Sequence, residues 1–298
     1  MRPVPAARSA PPSSEAVMAK AARENFPVAS RLLPRDVRQH LLAIYGFARL
    51  VDDIGDEVDG DRRAQLDWLE AEVDRVYAAT PSHPLMQRLV GTVRRFDIPP
   101  EPFRRLIAAN RQDQEVSAYA TFEDLVAYCA LSANPVGHLV LFVLEAASPS
   151  RVALSDSVCT GLQLVEHWQD VAEDLARGRV YLPQEDLERF GCTREDLTAP
   201  RPGQGFRRLM ALEVGRARSL LDRGAPLARD LGGRAGLAVA AFVAGGRSAL
   251  EAIARAGYDV LSARPRPSAG RRAWTLVRTL AGLGGSAKSS AADGGGPR

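Results

Sequence analysis

The chain has 298 residues, 46% hydrophobic and 25% charged, ordinary for a soluble globular protein and enough for one large core. Its net charge of +3 is unevenly placed: residues 263–298 carry seven basic side chains against one acid, Asp293, which leaves residues 1–262 at a net −3. No basic stripe with interleaved aromatics runs through the body, which argues against a nucleic-acid partner. Cys129, Cys159 and Cys192 form no CxxC, and His40, His83, His138 and His167 form no HxxxH pair, so neither a disulfide framework nor a zinc site is expected.

The N-terminal MRPVPAARSAPPSSEA lacks the apolar core of a signal peptide. PVGHLVLFVLEAA and GLAVAAFVAGG fall short of the ~20 residues that span a bilayer, so a cytoplasmic chain without integral membrane segments is expected. The basic C-terminal tail can touch anionic lipid at the inner membrane face, although a solvated terminus explains it more simply.

In chain order, residues 1–14 and 284–298 are Pro/Ala/Ser- or Gly/Ser-rich and are expected to be disordered. Residues 15–283 read as one all-α domain of about ten helices. Pro34 opens a helix whose apolar positions Val37, Leu41, Ile44, Tyr45 and Ala48 recur at three and four. Further helices are predicted over 61–79, 84–96, 101–117, 121–131, 134–147, 155–177, 204–231 and 235–262. Their breaks fall at Pro81, Pro99-Pro100, Pro149, Pro183, Pro200-Arg201-Pro202 and Gly232-Gly233. Alternating strand-like runs and internal repeats are missing.

Two of these helices carry matching stripes. In RLVDDIGDE, Tyr45, Arg49, Asp52 and Asp56 fall within about 60° of arc on one helical face, with Asp53 and Glu57 to the side. In QLVEHWQDVAED, Gln163, His167, Asp170 and Asp174 repeat the 4-3-4 spacing, with Glu166 beside them. A single DxxxD arises by chance on any solvated helix face. These two helices are otherwise apolar, with Leu41, Ile44, Phe47 and Leu50 in one and Leu164, Val165, Trp168 and Val171 in the other, so both should pack inside. Buried carboxylates repel and take up protons unless a cation neutralises them. Hard oxygen donors suit Mg²⁺, which keeps several waters and is usually shared with substrate phosphate. The spacing thus predicts a Mg²⁺–diphosphate site held by both helices.

With ENFPVASRLLP, LLAIYGFARLVDDIGDE, YCALSANPVG, GLQLVEHWQDVAEDLARGRVYLP and GYDVLSARP, the chain resembles the squalene/phytoene synthase family from about residue 24 to 265. Within it, the motifs look most like the hydroxysqualene synthase branch of bacterial hopanoid pathways. The resemblance implies an isoprenoid (terpenoid) synthase helical bundle with a central cavity. It implies Asp52 and Asp56 as the first metal motif and Asp170 and Asp174 as the second. Tyr45 and Arg49 match diphosphate contacts, Gln163 matches a substrate-contacting amide, Arg179 and Tyr181 flank the cavity, and Tyr258 reaches the diphosphate end.

Some positions depart from the family pattern. Glu166 stands where relatives place a metal-touching Asn; it is still an oxygen ligand, with added negative charge. Gln169 stands where carotenoid-type relatives carry Arg. Ala22 and Arg23 stand in place of a His-Ser pair, and Asn134-Pro135 should break a cavity helix. Phe47 and Trp168 read as core rather than cation-facing rings. His167, Asp113 and Tyr119 fit either a cavity or plain structure.

The implied reaction is Mg²⁺-dependent ionisation of presqualene diphosphate, cyclopropane rearrangement and water addition, with no NADPH required. Head-to-head condensation of two prenyl diphosphates and a non-catalytic helical assembly protein stand as alternatives. The implied partners are an isoprenoid diphosphate substrate, a membrane surface touched peripherally, and other enzymes of the squalene/hopanoid pathway.

Overall fold

The computed structural model describes residues 11–21, 33–268, 274–276 and 278–279. Among them the chain forms fourteen α-helices and no strand, only an isolated parallel bridge between Ala118 and Val180. Ten of these helices have eight residues or more. They are α1 (Ser14–Ala21), α2 (Arg35–Asp56), α3 (Arg62–Ala78), α4 (Pro84–Phe96), α5 (Glu101–Gln112), α6 (Phe122–Ser132), α7 (Asn134–Val143), α8 (Pro149–Gln169), α12 (Gln204–Gly224) and α14 (Gly233–Arg255). The four short ones are α9 (Val171–Ala176), α10 (Gln184–Arg189), α11 (Arg194–Thr198) and α13 (Pro226–Leu231). The chain divides into two compact units, residues 1–116 with 130–148 and residues 117–129 with 149–298.

In the first unit α2 is the central element, packed by α1, α3, α4, α5 and α7. Its apolar face buries Leu41, Ile44, Phe47, Leu50, Val51 and Ile54 against Leu66, Leu69, Met86, Leu89 and Ile107. Phe47 meets Phe103 edge to face at 5.0 Å between ring centroids, which makes it a core residue. Helix α1 begins at Ser14, inside the stretch expected to lack structure: Ser13 caps it through the Ala16 amide, and the Pro12 carbonyl lies 3.1 Å from His83 Nε2. Residues 1–10 and 280–298 lie outside the described residues, as do Ala22 and Arg23.

In the second unit α8 and α12 run closely packed, with α14 against both. Small residues permit the approach. A Cβ on Gly224 would stand 2.7 Å from the Leu154 carbonyl oxygen and 2.8 Å from the Val158 amide nitrogen. Trp168 is fully buried, again as core. The stretch before α10 is strapped to residues 117–122: the Val180 amide donates to Ser117, the Gln184 amide to Tyr119 and the Glu185 amide to Ala120.

The structure corrects the sequence reading at several helix ends. The helix expected over 155–177 breaks at Asp170, whose backbone leaves the helical region between α8 and α9. The helix expected over 204–231 breaks at Ala225, because Pro226 has no N–H to continue the ladder. The break expected at Asn134-Pro135 falls at Ala133, with the proline in the first turn of α7. The last helix stops at Arg255 rather than residue 262, since Gly257 and Tyr258 both take positive φ, 64° and 61°. Two apolar windows also exceed the expected lengths: residues 122–143 and Gly233–Arg255 span 22 and 23 residues, long and apolar enough to cross a bilayer by length and composition. Ala133 interrupts the first, and α14 is more than half buried inside the structure, packing on α8, α12 and α13.

Candidate active site

The first stripe occupies the last three turns of α2. Tyr45 is buried, Arg49 half-buried, and Asp52 and Asp56 are exposed. The neighbouring acids take the cations. Arg49 Nε lies 2.7 Å from Asp53 Oδ1 and its Nη2 3.0 Å from Glu57 Oε1. Lys20, reaching across from α1, lies 2.9 Å from Asp53 and 2.6 Å from Glu57. Asp53 and Glu57 thereby anchor the basic side chains. Asp52 is pushed up to about 7, chiefly by desolvation, with Arg49 pulling it down and Asp56 and Asp53 adding repulsion. Asp52 keeps an exposed surface, so water still reaches the side chain beside its desolvated carboxyl.

Helix α5 and the turn after it hold the end of this stripe in place. Asn110 hydrogen-bonds the Asp52 carboxylate and favours its charged form. Gln114 Nε2 donates to the Gly55 carbonyl at 3.1 Å, over the turn where the acids sit. A Cβ at Gly55 would collide with the Asn110 side-chain oxygen, so any larger residue there requires the Asn110 side chain to move. Asn110 and Gln114 are not among the residues the sequence singles out, although they flank Asp113, which is.

The second stripe straddles the junction of α8 and α9. Gln163 and Asp170 are half-buried, His167 is buried and Asp174 is 13% exposed at its side chain. Glu166 lies exposed beside the stripe. Asp170 forms an ion pair with Arg264, Nε to Oδ1 at 2.8 Å. Desolvation pushes Asp170 up to about 6 against the pull of Arg264, with Glu173 and Asp174 adding repulsion. Desolvation holds His167 below the usual imidazole range, opposed by Asp174. Gln169 donates to the Pro265 carbonyl at 2.6 Å and anchors the returning segment that bears Arg264.

Around His167 the unit gathers aromatic rings. Tyr181 stacks on the imidazole at 3.7 Å, and Tyr119 and Tyr128 lie 6.0 and 5.9 Å from Tyr181. Arg179 shares with His167, Asp174 and Tyr181 the lining of a cavity of about 10 Å³. Tyr258 sits half-buried on the segment after α14, in a left-handed conformation that a bulky residue adopts only under constraint. The structure thus gathers Tyr45, Arg49, Asp52 and Asp56 in one unit. In the other it gathers Gln163, His167, Asp174, Arg179 and Tyr181, with Asp170 bound to Arg264. Arg264 was counted only as tail charge, although it lies within the quoted GYDVLSARP.

The donors fit Mg²⁺ chemistry. Each stripe offers two carboxylates, and one in each is desolvated enough that an added cation would relieve it. Among the described residues no group of three or more His, Cys, Asp or Glu side chains is placed to hold a metal. Mg²⁺ requires fewer, being held by one or two carboxylates with the remainder from water and phosphate.

Comparison with known proteins agrees with these motifs. The family described as squalene/phytoene synthase matches residues 19–272. The chain is 34% identical to the hydroxysqualene synthase of Rhodopseudomonas palustris over 212 residues, covering 70% of this chain and 71% of that protein. It is 32% identical to the phytoene synthase of Arthrospira platensis over 263 residues, covering 81% and 83%. Among solved structures, squalene synthase HpnC from Alicyclobacillus acidocaldarius superposes with a TM-score of 0.78 at 44% identity, covering 82% of this chain and 94% of that one. Motif, helical fold and sequence similarity agree: the chain belongs to the squalene/phytoene synthase family.

Proposed function

We propose that the protein ionises presqualene diphosphate in a Mg²⁺-dependent reaction, rearranges the cyclopropane and adds one water, releasing hydroxysqualene, diphosphate and a proton. The observation that carries this reading is the 44% identity to a squalene synthase over most of both chains. The 34% identity to a hydroxysqualene synthase supports the branch.

Bound Mg²⁺ would supply Lewis-acid stabilisation of the departing diphosphate. Asp52 and Asp56 of the first stripe would hold such an ion, as would Asp170 and Asp174 of the second, with Glu166 as a further oxygen at its edge. Arg49, tethered by Asp53 and Glu57, adds fixed positive charge beside Asp52 and so favours an anionic leaving group there. Tyr45, Gln163, Arg179, Tyr181 and Tyr258 would orient the substrate. The stacked rings of Tyr119, Tyr128 and Tyr181 present π-electron density, each face capable of stabilising a nearby cation by ~0.5–2 kcal/mol. No hydride enters the balance, so NADPH plays no part in this reaction.

The second reading is head-to-head condensation of prenyl diphosphates, favoured by the 32% identity to phytoene synthase over 81% of the chain. Purified protein incubated with Mg²⁺, without NADPH, should convert presqualene diphosphate to hydroxysqualene. Turnover of farnesyl or geranylgeranyl diphosphate alone would replace the first reading with the second. If neither is consumed and Mg²⁺ with inorganic diphosphate leaves the melting temperature unchanged, a non-catalytic role takes over.

A further inference from the structure

His167 is held more firmly than core packing requires. One ring face lies on Tyr181, at 3.7 Å between centroids and 17° between planes. Its Nε2 is 3.3 Å from the amide nitrogen of Gln163. An amide NH₂ can only donate, so Nε2 accepts and the ring proton resides on Nδ1. Nδ1 stands 4.0 Å from Asp174 Oδ2, too far for a direct hydrogen bond and within the span that one water bridges. The adjoining cavity, about 10 Å³, has room for a single water's centre. Its polar lining is His167, Asp174, Arg179 and Tyr181, set among apolar Val171 and Leu197. An Nδ1–H donor, a carboxylate acceptor and a guanidinium donor meet the two to four partners a buried water needs.

We infer that this cavity is a single-water site and that His167 is a positioning residue: its Nδ1–H fixes the Asp174 carboxylate through that water, while its Nε2 fixes the Gln163 amide. The inference rests on the reading of Asp174 as a ligand of the diphosphate-bound metal. Asp174 lies on α9, past the break at Asp170, so helix continuity with α8 does not set its direction. The His167 relay ties Asp174 back to α8. A carboxylate aimed beforehand binds a cation without first being ordered, and outer partners of this kind typically contribute about 10–100-fold in metal affinity.

Two variants separate the relay from the stack. His167→Phe keeps a ring on Tyr181 and deletes both nitrogens. His167→Asn loses the ring but places an amide N–H where Nδ1 stood. Mn²⁺ binding in the presence of inorganic diphosphate, followed by electron paramagnetic resonance, should weaken about 10–100-fold in the Phe variant. The Asn variant should retain most of the affinity, both having been checked for folding by thermal unfolding. Equal losses in the two variants, or full affinity in the Phe variant, would overturn the relay. Long-range ¹⁵N–¹H correlation on the resting protein should report Nδ1–H for His167, and an Nε2–H tautomer would overturn it independently. If the native protein binds no Mn²⁺ with diphosphate, the metal reading falls by itself, and the tautomer still decides whether His167 holds Gln163.

Discussion

Asp52 and Asp53 are adjacent in the chain and differ in everything that matters to function. Asp53 turns inward, 3% exposed, and meets Arg49 and Lys20. Asp52 turns to the other side, where desolvation raises it to about 7 while Arg49 and the Asn110 hydrogen bond favour its charged form. Asp52→Asn and Asp170→Asn should each cut turnover by about 10²-fold or more while leaving the helical circular dichroism spectrum unchanged, since each deletes a charge that the proposed function assigns to Mg²⁺ binding. Undiminished turnover in either variant would end the metal role of that stripe. Gly55→Ala probes the support behind Asp52. Overpacking against Asn110 should cost about 1–3 kcal/mol in thermal unfolding. Displacing Asn110 should also raise Asp52 further, because a hydrogen bond to its charged form is lost. An unshifted pH–rate profile in that variant would show Asn110 to be irrelevant to Asp52.

At the scale of elements, the packing of α8 on α12 fixes the helix that carries Gln163 and His167. Gly224→Ala should lower the melting temperature, at a cost of about 1–3 kcal/mol, because the new methyl meets the α8 backbone rather than a yielding side chain. Nearby, Arg216 bridges two buried carboxylates: Glu213 on its own helix at 2.8 Å, and Asp186 on α10. One cation between two acids leaves a surplus negative charge, and desolvation pushes Glu213 well above the usual carboxylate range. Glu213→Gln should therefore stabilise the fold at alkaline pH relative to the native protein, with little difference near about pH 4. Identical melting curves at both ends of the range would show that the surplus charge is relieved elsewhere.

Across the whole molecule these carboxylates act in the same direction. Asp52, Asp170 and Glu213 all hold a proton more tightly when folded than when unfolded. Over the window from the ordinary carboxylate pKa to about 7 these three groups bind more protons in the folded form. They outweigh the opposing His167, whose pKa is lowered on folding, so stability falls as pH rises. The melting temperature should decline between about pH 5 and pH 8, and Mg²⁺ with diphosphate should restore part of the loss by neutralising the two stripes but not Glu213. A melting temperature that rises across that window would contradict the desolvation of all three.

Much of this protein was legible in its sequence. Helix positions followed from the 3.6-residue period and from proline, both local properties. The two acidic stripes followed from spacing alone, and Phe47 and Trp168 read correctly as core. What the sequence could not decide were the partners that residues distant along the chain supply. Among them are Lys20 on Asp53, Asn110 on Asp52, Arg264 on Asp170, and the rings of Tyr119, Tyr128 and Tyr181 beside His167. Periodicity tells which face of a helix an acid occupies, because that depends only on rise and turn. Which cation answers it, and how far its carboxyl is desolvated, depends on helices brought together by packing. Spacing set Asp52 on the stripe and Asp53 beside it, and only the tertiary structure gave each its partners.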